Sequence, residues 1–210
     1  MMTGKILIAG ATILAALTAV PGFSGEWEAL SEEERRKLDN GEILCRTVTT
    51  DAGEGKIEGT MQSMVKIDAS LDKCWELFTQ FEKHNEFLPK QTDSIVVEEK
   101  SRSVFVLKKF IIFGRNVDYV IHYRIDAEGH RIDYELDRSR PHDIEDAAGY
   151  FLFEEISPDA CLMAYGITRL DTGMPVPGLL QRLLQKRDLP GVVENVKKRI
   201  ESGGRWQKDG

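Results

Sequence analysis

The sequence predicts an α+β fold in which a curved antiparallel sheet of about six to seven strands wraps a long C-terminal helix. Three observations carry this prediction. Helices and strands do not alternate, as they would in a parallel α/β chain; the order is strand, two short helices, about six strands, long helix. The apolar period changes from helical spacing to strict alternation after Pro89. The links between the late strands ("EGH", "SRPHD", "SPDA") are short, and short links force antiparallel neighbours.

Before this domain lies a front piece, residues 25–55. "SEEERRKLDNG" opens with a capping box, Ser31 and Glu34, and stops at Asn40-Gly41. This helix is nearly all charged and is expected on the surface. Glu42 to Thr50 reads as an added edge strand, and "DAGEG" as a turn.

The domain proper is expected over 56–202. "KIEGTMQSMVKID" is its first strand, and Ser70 caps the helix that follows. In that helix Trp75, Phe78 and Phe81 recur at helical spacing, flanked by Leu71 and Leu77. Lys83 to Phe87 reads as a second short helix, ended by Pro89. These two helices are expected to plug one end of the curl.

Ser94–Glu99 and Ser103–Ile112 are strands. Val117, Tyr119, Ile121, Tyr123 and Ile125 then alternate with mostly polar neighbours, as do Ile132, Tyr134 and Leu136. Such alternation marks one buried face and one wet face. Ala147–Ile156 and Ala160–Leu170 follow. The last helix is read from Leu179 to Ser202, kinked by Pro190 and stopped by Gly203. It is expected to lie along the inside of the sheet, with a loose tail over 203–210.

The chain begins with Lys5, an apolar run of about 15 residues from Ile6 to Val20, and the small-residue site Gly22-Phe23-Ser24. This is the pattern of a secretory signal peptide over residues 1–24, and the run is short against the roughly 20 residues of a membrane span. An uncleaved anchor is the alternative. An exported, periplasmic location is the expectation. The net charge of −7 becomes −8 once Lys5 is removed, a field that repels nucleic acid. Cys45, Cys74 and Cys161 form no metal-ligand spacing. They read as buried thiols, with one disulfide as the alternative, and no metal or cofactor is expected.

"CWELFTQFEKHNEFLP" and the element order resemble the START-like helix-grip superfamily, closest to its polyketide cyclase/dehydrase or coenzyme Q-binding branch. The resemblance rests on Asp68-Ala69-Ser70, Trp75-Glu76-Leu77, Phe81-Glu82-Lys83 and Phe87-Leu88-Pro89. It covers about residues 56–202. It implies the helix-grip fold and an apolar cavity for a lipid, quinone or polyketide-like molecule.

The residues expected to line such a cavity are Trp75, Phe78, Phe87, Tyr119, Ile121, Tyr123, Tyr134, Leu136, Phe151, Tyr165, Leu179 and Leu183. A filled core with tyrosines at its rim is the competing reading. An empty apolar cavity of about 400 Å³ would cost on the order of 10 kcal/mol, so a cavity must be small, wet or occupied. Phe110, Ile111, Ile112 and Phe113 run into a hairpin at Gly114 and cannot all face one core. They read either as a lip touching membrane, with Lys108, Lys109 and Arg115 meeting anionic head groups, or as a strand buried on both faces and covered by the front piece. "TGMPVPGLL" offers a similar apolar loop at a cavity entrance.

No nucleophile elbow, phosphate loop or zinc helix is present. His142 among the carboxylates of "RSRPHDIED" reads as a charged loop. A non-catalytic exported binding protein is therefore expected, with a cyclase- or dehydratase-like enzyme and a solid assembly module as alternatives.

Overall fold

The computed structural model describes residues 25–51, 56–112, 114–173 and 189–208. The signal segment, Phe113, the "TGMPVPGLL" loop beyond Gly173, Leu179 and Leu183 lie outside the described residues. Within them the order is α1 (Glu26–Ala29), α2 (Glu32–Asp39), β1 (Leu44–Asp51), β2 (Lys56–Ile67), α3 (Leu71–Phe78), a 3-10 turn (Phe81–Lys83) and α4 (His84–Phe87). There follow β3 (Gln91–Lys100), β4 (Ser103–Ile112), β5 (Arg115–Asp126), β6 (Arg131–Leu136), β7 (Asp146–Ser157), β8 (Ala160–Asp171) and α5 (Leu189–Glu201).

All eight strands form one antiparallel sheet in the order β1-β2-β8-β7-β6-β5-β4-β3. The eighth strand is β1, the added edge, which pairs with β2 from Leu44↔Met64 onward. Register shifts between Ala148 and Gly149, between Gln91 and Asp93, and at three further places bend the sheet.

The inner face is one cluster: Val65 and Ile67 of β2, Val104 and Val106 of β4, Tyr123 of β5, Tyr134 of β6, Phe151 and Phe153 of β7, and Cys161 and Met163 of β8. Val193, Val196 and Ile200 of α5 join it, which seats that helix on the concave side. Pro190 lies in the described part of this helix, one residue past the border of the described residues. The expected kink falls at the border of the described residues.

α3 forms because Ser70 accepts from Lys73 N–H and a run of good helix formers follows. It buries Cys74, Leu77 and Phe78, and Phe78 meets Phe151 and Phe153 at centroid distances of 4.7 and 5.1 Å. The short helices thus close one end of the curl, as expected.

Two close approaches let aromatic rings lie flat on the sheet. A Cβ on Gly149 would stand 2.0 Å from Gly166 O and 2.4 Å from the Tyr134 hydroxyl, and one on Gly166 would stand 2.3 Å from the Tyr150 ring. Each glycine makes room for a tyrosine, Tyr134 inside and Tyr150 outside.

The front piece covers the outer face. Leu30 and Leu38 pack with Met64, Tyr150, Leu152, Leu162 and Ala164, so it lies over β2, β8 and β7. The two-sided burial considered for the end of β4 fails at Ile111, which is 49% exposed. α2 is charged all round except at Leu38, which is buried.

Its capping box is complete. Ser31 Oγ accepts from Glu34 N–H, the Glu34 carboxylate accepts from Ser31 N–H, and Arg46 of β1 adds an ion pair at 2.7 Å. Arg46 and Ser31 hold the Glu34 carboxyl down to about 2. A lowered carboxyl stabilises above its ordinary value and loses that effect as pH falls through the folded one. Glu34→Gln is expected to raise amide exchange in residues 31–35 near neutral pH, with the difference vanishing in strong acid.

All three cysteines are free thiols; Cys74 and Cys161 are buried, and Cys45 is exposed, against the expectation that it is buried. The tail is not loose. Lys208 N–H donates to Glu86 O (2.9 Å), Lys208 Nζ to Leu88 O (2.6 Å), and Arg199 Nη1 to Trp206 O (2.9 Å). Residues 205–208 strap the segment between α4 and β3. Among the described residues no helix is long and apolar enough to cross a membrane.

Candidate binding cavity

Between the sheet and the start of α5 lies a cavity of about 250 Å³. β5 and β6 supply Tyr119, Ile121, Tyr123 and Tyr134; β7 and β8 supply Ala147, Phe151, Tyr165 and Ile167. β4 supplies Lys108, Phe110 and Ile112, and Leu189 and Val192 of α5 form the roof. Strand parity explains the gathering: odd positions of β5 and even positions of β4 and β6 face inward.

Of the twelve residues named from the sequence, Tyr119, Ile121, Tyr123, Tyr134, Phe151 and Tyr165 lie on the cavity wall. Four do not. Phe78 is core plug. Phe87 packs under Arg199, 5.7 Å from its ring centroid. Trp75 stands half-buried against His130 and Phe153, at 5.2 and 6.2 Å, because the buried stripe of α3 runs through Cys74, Leu77 and Phe78. Leu136 is buried in the core away from the cavity.

The tyrosines form a stacked set. Phe151 and Tyr165 lie at 4.8 Å and 12°, and Phe110 and Tyr119 at 5.5 Å and 10°. Tyr134 Oη donates to Tyr165 Oη and Gly166 O, both at 3.4 Å. Burial pushes the Tyr119, Tyr123 and Tyr134 hydroxyls above the ordinary phenol value, so all three stay neutral donors.

Lys108 corrects the sequence reading. It is not a surface lysine; it is 2% exposed and lines the cavity. Lys108 Nζ donates to His84 Nδ1 (3.0 Å) and Ser94 Oγ (3.2 Å), and lies 5.5 Å from the Tyr123 centroid. His84 is fully buried, with Nε2 2.8 Å from Phe78 O. A carbonyl only accepts, so Nε2 carries the proton and Nδ1 is free to accept from Lys108. Burial drives the Lys108 amine well below its ordinary value, and burial with the nearby Lys108 charge does the same to His84.

The sign for His84 follows. Its folded value is lowered, so the unfolded chain takes up the proton first and stability falls as pH drops below the ordinary histidine value of about 6.5. Melting temperatures between about pH 7 and pH 5 are expected to decline, and His84→Gln is expected to flatten that decline. An unchanged slope in the variant would place the effect elsewhere.

His142 is exposed on the loop before β7 and does not line the cavity, and among the described residues no group of His, Cys, Asp and Glu could hold a metal ion.

Solved structures share this architecture. A START superfamily protein from Mycobacterium smegmatis matches with a TM-score of 0.58 at 16% identity, over 68% of this chain and 97% of that one. A STAR-related lipid transfer protein from Xanthomonas axonopodis gives 0.60 at 13%, over 73% and 98%. This chain has the START-like helix-grip fold. The Zhui aromatase/cyclase from Streptomyces sp. R1128 also shares that fold, with a TM-score of 0.53 at 14% identity, over 69% of this chain and 97% of that one. No protein-family model and no curated protein matches the sequence. The front piece, residues 25–51, caps the outer face and places one more strand at the edge of the sheet.

Proposed function

We propose that this START-like chain is an exported binding protein for a small hydrophobic molecule, held between the sheet and α5. The cavity itself carries the reading. Without an occupant, this largely apolar space of about 250 Å³ would have to be wetted, which leaves its apolar wall in water. A lipophilic occupant removes that cost and contributes about 25 cal/mol for each Å² it buries. The lipid-transfer name of one structural neighbour supports the ligand class. Export rests on the pattern of residues 1–24, and membrane contact on the exposed Ile111 with Lys109 and Arg115 beside the cavity edge.

Native mass spectrometry of gently purified protein tests this, together with titration by the neutral dye Nile red. A co-purifying lipophile or saturable dye binding supports it; the absence of both would overturn it. An enzyme reading draws on the aromatase/cyclase neighbour and on the Lys108 amine in the cavity wall. Turnover of a polyketide-like substrate that Lys108→Met abolishes would favour it over simple binding.

A further inference from the structure

We infer that the molecule held in this cavity is a lipophilic carboxylic acid, with its carboxyl group between Lys108 Nζ and Gln91 Oε1. The inference rests on the binding reading above and names the chemical class of the ligand.

The charge inventory of the wall comes first. The described lining residues include three basic side chains, Lys90, Lys108 and Arg169, and no carboxylate. This occurs in a protein of net charge −7. Arg169 is paired with Asp146 at 3.0 Å, and Lys90 is exposed where the lining reaches solvent. Lys108 differs from both. It is buried and has no acidic partner among the described residues; its hydrogen-bond partners are the neutral His84 and Ser94. A carboxylic acid entering the cavity gives its proton to this buried amine, and of the three N–H donors of the ammonium so formed two go to His84 and Ser94 and the third to the carboxylate.

Gln91 provides the second observation. It is 1% exposed and also lines the cavity. Its Nε2 donates to Asp93 O (3.0 Å), which fixes the orientation of the amide, since a carbonyl only accepts. Its Oε1 is buried with no hydrogen-bond partner. The β3–β4 ladder pairs Gln91 with Phe110 and Ser94 with Lys108, so the unmet acceptor and the spare donor are neighbours on one inward face.

A native fold rarely leaves a buried polar atom unmet, and such an atom in a cavity wall marks where a ligand's polar end belongs. A hydroxy acid meets both demands: its carboxylate accepts from Lys108, and a hydroxyl on the adjacent carbon donates to Gln91 Oε1. An alcohol can donate to Gln91 Oε1 but brings no negative charge to Lys108, which has no acidic partner among the described residues. A quaternary ammonium has neither an acceptor for Lys108 nor a donor for Gln91. The apolar remainder of the ligand lies over Ile121, Phe151 and the roof of α5.

The test is calorimetric titration of the wild-type protein at about pH 7 with decanoic acid, decan-1-ol and decyltrimethylammonium, which share one alkyl chain. The acid is expected to bind about tenfold or more tightly than the alcohol, and the ammonium not at all. Lys108→Met and Lys108→Gln are both expected to remove the preference while leaving the alcohol's affinity in place, with melting curves showing that each is folded. Equal affinity for acid and alcohol, or a preference that survives in both folded variants, would overturn the inference. If none of the three binds while Nile red does, the acid is wrong and the cavity reading stands. If Nile red fails as well, the binding reading falls with it.

Discussion

Gly149→Ala is expected to destabilise the protein by about 3 kcal/mol or more, among the largest effects a single methyl can have. The added Cβ would stand 2.0 Å from a backbone oxygen of the neighbouring strand and 2.4 Å from the Tyr134 hydroxyl. A flexible side chain could swing aside, but the Gly166 carbonyl belongs to the β7–β8 ladder and cannot. Relief requires either parting two central strands or lifting the Tyr134 ring into the cavity. Urea denaturation reads the first as a lowered midpoint, and Nile red titration reads the second as weakened binding. A variant within about 0.5 kcal/mol of wild type, with unchanged dye affinity, would mean that the ring does not lie over Gly149.

Ala147→Trp separates the cavity from the fold. Ala147 is buried and faces the cavity. An indole there projects into space that no side chain occupies. Dye affinity is expected to fall about tenfold or more, and stability to hold or rise, because filling a void recovers about 24 cal/mol per Å³. A large loss of stability would instead mark a wall already filled by neighbours. Opposite stability effects from Gly149→Ala and Ala147→Trp, with the same loss of binding, would distinguish a wall residue from a structural one.

The fold was legible in the sequence because alternation and turn chemistry are local signals. Tyr119, Ile121 and Tyr123 face inward by parity alone, as do Ile132 and Tyr134 on paired strands. Lys108 was also legible and was misread. Val104, Val106, Lys108, Phe110 and Ile112 share one parity, which assigns the lysine to the inner face. The assumption that a lysine seeks water prevailed over the pattern. Gln91 and Ser94 carried no such signal. Both are buried although three positions apart, because a register shift between Gln91 and Asp93 breaks the period of two. Trp75 was assigned by counting every third residue, whereas the buried stripe of α3 is set by Cys74, Leu77 and Phe78 against β7. The docking of Trp206 and Lys208 depends on distant carbonyls, which no local pattern reveals.

The pairing of β2 with β8 bears on the order of events during synthesis. Lys56 finds its partner only at Asp171, and the roof of the sheet, α5, comes later still. Contacts of such long sequence separation form late and slowly. A nascent chain that has not yet released residues 160–201 would hold a hairpin stack with one flank open and an unroofed aromatic face. Such a chain stays available to threading machinery and chaperones, so its commitment to the native state waits on β8 and α5.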